Sequence, residues 1–344
     1  MAQRIENMWW SDQTPPLPFR LCSHLYQYIS HHHLKQRIKQ EKAPIIPLIS
    51  IGNITAGGSG KTPFTVWLAS MLQDCGMSPI ILCRGDGARS NTPLWVDKNS
   101  SPNLVGDEAA LLYRLTACPV MAAQNRVLAC QYIAASGLGD IVILDDGFQY
   151  RHVARVCDIV LIPADGVGNS WIIPAGPLRE PLSALGRADI IVRSSHRQQK
   201  STPVRISDQQ EWQWSAVPDR LVDWMHCNKA APSAAAPVQA ITGIARPHRF
   251  FDNLQGMGLS IDGHHVFPDH YHYSASDVLM FSAFPYPITS AKDAVKLIEH
   301  WPKKCPLWVL EQTVEVDSGL IEKIVAQVNT AKEKRMGCNS ATHP

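Results

Sequence analysis

The sequence predicts an α/β protein built on a mostly parallel sheet with helices on both faces. Three observations predict it. Compact aliphatic runs alternate with stretches of helical apolar spacing, the first run leads into a glycine-rich turn that opens a helix, and acidic residues border several later runs. Strands that alternate with helices in this way bury both sheet faces under helices, which is the parallel arrangement.

The elements follow in order. Ile45 to Ile51 is a largely apolar run ahead of the glycine-rich turn. Phe64, Trp67, Leu68, Met71, Leu72 and Cys75 then keep helical spacing, with Gly76 where a helix-terminating glycine belongs. Residues 79–83 suggest a strand, 107–115 a helix, 119–123 a short strand and 126–135 a helix closed by Gly137. Runs at 141–144, 159–162 and 190–192 are further strands, the first two introduced by Asp140 and Asp158. Residues 228–237 are rich in Ala and Pro and suggest a linker between a domain at 41–227 and a smaller α/β domain at 238–330. The second domain shows a strand at 238–241, helices near 248–257, 276–281 and 291–298, a strand at 307–310 and a last helix from Leu320. A polar, flexible tail is expected over 331–344.

Composition narrows the class. The chain has 344 residues, 45% hydrophobic and 18% charged. That length suggests about two domains at ~150 residues each, and the apolar fraction excludes disorder for most of the chain. No window approaches ~18 uninterrupted apolar residues, which excludes a polytopic membrane protein. A net charge of +2 is too mild to indicate nucleic acid, and no nucleic-acid partner is expected. Nine scattered cysteines without a CxxC pair suggest reduced thiols, not a disulfide framework.

Residues 1–40 form a separate arm. No apolar run followed by a small-residue cleavage site suggests a secretory signal. After Pro18, the residues Phe19, Leu21, Leu25, Tyr26, Tyr28 and Ile29 precede a basic stretch with Lys35, Arg37 and Lys39. Such an amphipathic helix can lie in a membrane interface, but from these residues alone a surface helix packed on the protein's own core is the favoured reading. His31, His32 and His33 point about 100° apart on a helix and cannot converge on one metal ion.

The glycine-rich turn reads Thr55-Ala56-Gly57-Gly58-Ser59-Gly60-Lys61-Thr62, after a strand and at a helix start, the context of a P-loop. Its glycines let main-chain N–H groups approach phosphate oxygens, and the helix N-terminus adds positive potential. Lys61 would reach the β- and γ-phosphates, and the Thr62 hydroxyl would join a Mg²⁺ site. Thr55 stands where the general pattern has its first glycine.

Asp145 and Asp146 close an aliphatic strand, where a P-loop protein keeps a metal-binding carboxylate. Asp107 and Glu108 open a helix; they are either ordinary acids favoured by the macrodipole or a general base with a metal or water ligand. Arg84, Arg126, Arg179 and Arg187 are the basic candidates for phosphate, and Arg179 sits in the proline-rigidified loop 174–181. In the second domain His270 follows Asp269 in an aromatic setting near His264 and His265. A carboxylate-coupled histidine suits that pattern better than zinc, because no cysteine has ligand spacing there.

Together these residues resemble the tetraacyldisaccharide 4'-kinase family, the lipid A 4'-kinases of Gram-negative bacteria. The resemblance rests on the segment 52–63, Arg84-Gly85 with Gly87, Gly106-Asp107-Glu108, Asn125-Arg126, the segment 144–149 (LDDGFQ) and the segment 174–181 (PAGPLREP). It continues through Thr242-Gly243-Ile244, Phe250-Phe251, Phe267-Pro268-Asp269-His270 and the segment 291–296. It implies transfer of the γ-phosphoryl of ATP, with Mg²⁺, to the 4'-hydroxyl of a tetraacylated glucosamine disaccharide 1-phosphate, giving lipid IVA. It also implies Asp107 as catalytic base with His270 as its partner, Lys61 as a phosphate-binding catalytic group, and Glu108, Asp145 and Asp146 around the metal. The arm would then dock peripherally at the cytoplasmic face of the inner membrane, with no obligate protein partner. The sequence departs from the family pattern at Asp86, Ala109, Tyr150 and Tyr271. Two other readings weigh less. A membrane-associated ATPase switch of the kind with lysine before the paired glycines has Ala56 against it, and a GTPase or metallochaperone lacks both an Asn-Lys-x-Asp segment and a CxxC relay.

Overall fold

The computed structural model describes residues 2–11, 13–43, 45–85, 92–195, 210–234 and 236–340. Two helices lead, α1 (Ala2–Trp9) and α2 (Leu17–Lys39). The first half continues with β1 (Leu48–Asn53), α3 (Lys61–Asp74), β2 (Pro79–Cys83), β3 (Leu94–Trp95), α4 (Pro102–Val105) and α5 (Asp107–Leu115). It is completed by β4 (Val120–Ala122), α6 (Arg126–Ser136), β5 (Ile141–Asp145), β6 (Cys157–Ile162), a 3-10 turn at Leu182–Arg187 and β7 (Ile190–Ser194). The second half holds β8 (Glu211–Asp223), β9 (Pro237–Thr242), α7 (Pro247–Gly256), β10 (Ser260–Val266), α8 (Ala275–Ser282), β11 (Pro287–Ser290), α9 (Ala291–Leu297), β12 (Trp308–Val316) and α10 (Leu320–Ser340).

The described strands join in one twelve-stranded sheet, ordered β10-β9-β11-β12-β8-β7-β6-β1-β5-β2-β4-β3. Neighbours are parallel except at β12–β8 and β4–β3. Every residue of β1, β2, β5 and β6 is buried, as expected of central parallel strands covered on both faces. One face meets α3 and α5 through Phe64, Leu68, Leu72 and Leu112; the other meets α6 through Ala129, Cys130 and Ile133. The expected α/β class with a mostly parallel sheet therefore holds.

Some boundaries differ from the sequence reading. The arm comprises two helices rather than one. The sheet runs without interruption from one expected domain to the other, because β8 pairs with β12 along its length. The last helix runs to Ser340, past residue 331 where a tail is expected. Its Leu320, Ile324 and Val328 are fully buried in the same cluster as Ile49 and Phe64, so this apolar stripe packs on the first half. Its complement lies there, on α3 and β6. Asp86 and Gly87 lie outside the described residues.

Candidate active site

The glycine-rich segment bridges β1 and α3. Asn53, the last residue of β1, is fully buried, and its Nδ2 donates to the Thr55 carbonyl (2.8 Å) and to Ser59 Oγ (2.9 Å). One side chain thus ties both ends of the turn. Gly57 and Gly60 adopt φ of 97° and 78°, where L side chains are strained, and the space beside Gly57 and Gly58 is open. At Gly60 the constraint is double, because a Cβ would lie 2.5 Å from Trp214 Cη2. Trp214, on β8, packs edge-on against Phe64 and forms the floor beneath the loop. Lys61 and Thr62 open α3.

The proline-rich loop backs this turn through the main chain. Ala56 N–H donates to the Pro177 carbonyl (2.7 Å), Arg179 N–H donates to the Ile54 carbonyl (2.7 Å), and Thr55 bridges to Leu178. The Gln149 amide donates to the Asn53 carbonyl (2.8 Å).

Asp145 ends β5, next to β1, and Asp146 follows at a left-handed φ of 51°. Asp145 is buried and accepts from the Thr65 hydroxyl (3.3 Å). Burial, then the negative charge of Glu108, push its carboxyl up to about 7. Asp146 behaves oppositely. Burial alone would raise it, but Lys61 and Arg179 outweigh that and hold it down to about 2. Lys61 Nζ and the Arg179 guanidinium each stand 3.3 Å from its carboxylate.

The buried Arg126 donates to the Asp146 carbonyl (3.3 Å) and lies 4.8 Å over the Tyr150 ring. Arg84 follows β2, close enough for its charge to act on Arg126. Arg187 is committed elsewhere: it pairs with Glu180 (2.7 Å) and covers Phe148. Of the four arginines, Arg126 and Arg179 therefore converge on Asp146, while Arg84 is felt through its charge on Arg126.

Gly106, at φ 91°, turns the chain from α4 into α5, which begins on Asp107 and Glu108. The second half approaches here. Asp107 Oδ2 stands 3.8 Å from His270 Nδ1, longer than a hydrogen bond. His270 is itself left-handed at φ 60°. Such backbone strain persists only where the surroundings enforce it, and it clusters at functional sites. Lys292 Nζ lies 3.3 Å from His270 Nε2 and 3.2 Å from Asp269. An ammonium can only donate, so the hydrogen-bond network assigns the ring proton to Nδ1, facing Asp107. His264 and His265 lie apart on β10, where His265 stacks on Phe284 and pairs with Gln239.

Asp145, which feels the charge of Glu108, and Asp146 offer hard carboxylate oxygens of the kind Mg²⁺ takes; among the described residues no three His, Cys, Asp or Glu side chains already converge as a metal cluster. Sequence reasoning missed Asn53, Trp214 and Lys292 as site residues. Asn53 and Lys292 lie within the segments that carry the family resemblance; nothing in the sequence pairs Trp214 with the loop.

A helix N-terminus ready for phosphate, set beside buried carboxylates and a cluster of arginines, makes this a P-loop phosphotransferase. The chain belongs to the tetraacyldisaccharide-1-P 4'-kinase family (LpxK), whose model matches residues 17–329. It is 36% identical over 300 residues to the tetraacyldisaccharide 4'-kinase of Azoarcus sp. strain BH72, covering 85% of this chain and 84% of that one. It is 33% identical over 335 residues to that of Aeromonas hydrophila, covering 94% and 93%. A crystal structure of LpxK from Aquifex aeolicus in complex with ATP superposes with a TM-score of 0.73 at 27% identity, covering 90% of this chain and 96% of that one.

Proposed function

We infer that this protein transfers the γ-phosphoryl of ATP to the 4'-hydroxyl of a tetraacyldisaccharide 1-phosphate, a step of lipid A biosynthesis. The observation that supports it best is the meeting of two groups from opposite halves, Asp107 and His270, beside the loop and acids of the first half. Asp107 accepts the proton of the sugar hydroxyl as the new O–P bond forms and the β–γ bridging bond breaks, releasing ADP. His270, held by Lys292, orients that carboxylate. The amides of residues 57–62 and the Lys61 ammonium hold the phosphates, while the Ala56 amide is spent on the Pro177 carbonyl. Thr62, Glu108, Asp145 and Asp146 would hold Mg²⁺, which when bound neutralises charge on the β- and γ-oxygens. Arg179, Arg126 and Arg84 are the groups suited to substrate phosphate, and a phosphate competes with Asp146 for Arg179. Positioning and charge neutralisation supply most of the acceleration.

The acceptor's greasy part has a matching surface. A groove of about 910 Å³ lies between α2 and the 179–187 segment, lined by Tyr28, Leu34, Ile38, Arg179 and Ser183 among others. Leu17, Leu21 and Leu25 of α2 are each more than 60% exposed, and Lys35, Arg37 and Lys39 follow. We place α2 in the interface of the inner membrane, on its cytoplasmic face. Among the described residues no helix is long and apolar enough to cross a membrane.

The test is incubation with ATP, Mg²⁺ and the disaccharide 1-phosphate, read by mass spectrometry. One phosphate gained by the lipid supports the reading; ATP turnover with unchanged lipid overturns it.

A further inference from the structure

We propose that α1 braces the nucleotide site, with Trp9 as a positioning residue for the 55–62 loop and for Arg179. The inference rests on the nucleotide lying at that loop.

The path is short and made of named contacts. Trp9 Nε1–H donates to the Pro174 carbonyl (2.9 Å). Asn169 N–H donates to the Trp9 carbonyl (2.8 Å), and Asn169 Nδ2 donates both to the Met8 carbonyl (3.2 Å) and to Ala175 (3.0 Å). The end of α1 is thereby tied to both sides of the 168–176 turn. One residue beyond that turn, Pro177 accepts from the Ala56 amide; two further on, Arg179 donates to Ile54 and faces Asp146. A displacement of Trp9 is transmitted within a few residues to a P-loop amide and to a guanidinium beside the acids.

The turn is shaped to receive α1. A Cβ on Gly168, at φ 60°, would lie 2.4 Å from the Trp9 carbonyl oxygen, and one on Gly176 would lie 2.2 Å from Asn169 Oδ1. These close approaches need glycine on both sides of the contact. The aromatic pair is also turned onto protein rather than lipid. The Arg246 guanidinium lies 4.7 Å over the Trp10 ring, and Arg246 and Arg249 are both anchored on Asp165 at the start of the same loop. The exposed leucines belong to α2, so the two helices of the arm divide their tasks. The family model begins at residue 17, and α1 precedes it.

The experiment uses the full chain with Trp9→Phe, which keeps a ring but loses the N–H donor, with Trp9→Ala, and with Gly168→Ala, which disturbs the contact from the other side. Affinity for a non-hydrolysable ATP analogue, KM for ATP, KM for the lipid in mixed micelles and sedimentation with anionic vesicles are measured. Losing one hydrogen bond predicts about a threefold to tenfold loss of nucleotide affinity in Trp9→Phe. Gly168→Ala loses at least as much, while lipid KM and vesicle binding stay at the wild-type level. Wild-type nucleotide affinity in both Trp9→Phe and Gly168→Ala overturns the proposal. So does loss of vesicle binding with nucleotide affinity intact, which would make α1 a membrane element. Trp9→Phe decides the matter if Trp9→Ala fails to fold. A Lys61→Ala control separates the two levels: if it binds the analogue as well as wild type does, the nucleotide reading itself falls.

Discussion

Lys61 and Asp146 stand 3.3 Å apart, so the cation offered to a phosphate is already engaged by a carboxylate of the proposed metal site. Arg179 grips the same carboxylate from the other side. A phosphate bound by Lys61 would have to displace this pairing, and the freed Asp146 carboxylate would be one of the groups to hold a divalent ion. Asp146→Asn is expected to leave ATP affinity without Mg²⁺ unchanged or tighter, while the gain on adding Mg²⁺ shrinks and turnover falls by 10²-fold or more, about the size of removing a strong charge-stabilising group. Calorimetric titration of ATP with and without Mg²⁺ checks this. Weaker metal-free binding would mean that Asp146 only shapes the loop.

Asp107 opens α5 with His270 as its partner. Asp107→Ala should lower turnover by about 10²–10⁴-fold, the usual contribution of a positioned base, with ATP affinity retained. His270→Ala should cost less, because the carboxylate remains. Steady-state kinetics and nucleotide binding on each variant check the order. Loss of ATP binding in Asp107→Ala would make the residue structural.

Gly60 is expected to tolerate nothing larger. Its φ of 78° and the Trp214 ring each penalise a Cβ, together by about 2 kcal/mol or more. Gly60→Ala should therefore lower the melting temperature and abolish nucleotide binding. Gly60→Ala with Trp214→Ala should not recover binding, since it makes room but leaves the backbone strain. Thermal melts and nucleotide titrations of the single and double variants measure both parts.

The exposed leucines of α2 give the membrane prediction. Replacing Leu17, Leu21 and Leu25 together by Ser removes roughly 1.5–3 kcal/mol of apolar burial per site. Sedimentation with anionic vesicles should drop by more than tenfold, and higher salt should weaken the wild type through Lys35, Arg37 and Lys39. Nucleotide affinity should not change. Retained vesicle binding would place the anchor elsewhere.

Much of the first half was legible because its strands are buried on both faces and read as unbroken aliphatic runs. The loop and its helix were legible because phosphate binding demands glycines and a lysine in fixed order. β8 was not. Its sequence EWQWSAVPDRLVD alternates unevenly, and Pro218 sits beside a register shift against β12, one of the few places a strand interior accepts proline. β10 was hidden for another reason: its exposure alternates as at a sheet edge, so SIDGHHV shows no apolar run. Asp107 and His270 were named through the family resemblance, because spacing cannot show that residues from opposite halves meet. The Trp214 floor under Gly60 depends on the unrecognised β8 and was invisible for the same reason.

The return of α10 to the first half has a consequence for how the protein folds. Leu320, Ile324 and Val328 complete the cluster that holds Ile49 and Phe64, so this core joins residues far apart along the chain. Such contacts close a long loop and form late. The helix α3 is expected to gain its full protection from hydrogen exchange only once α10 has docked.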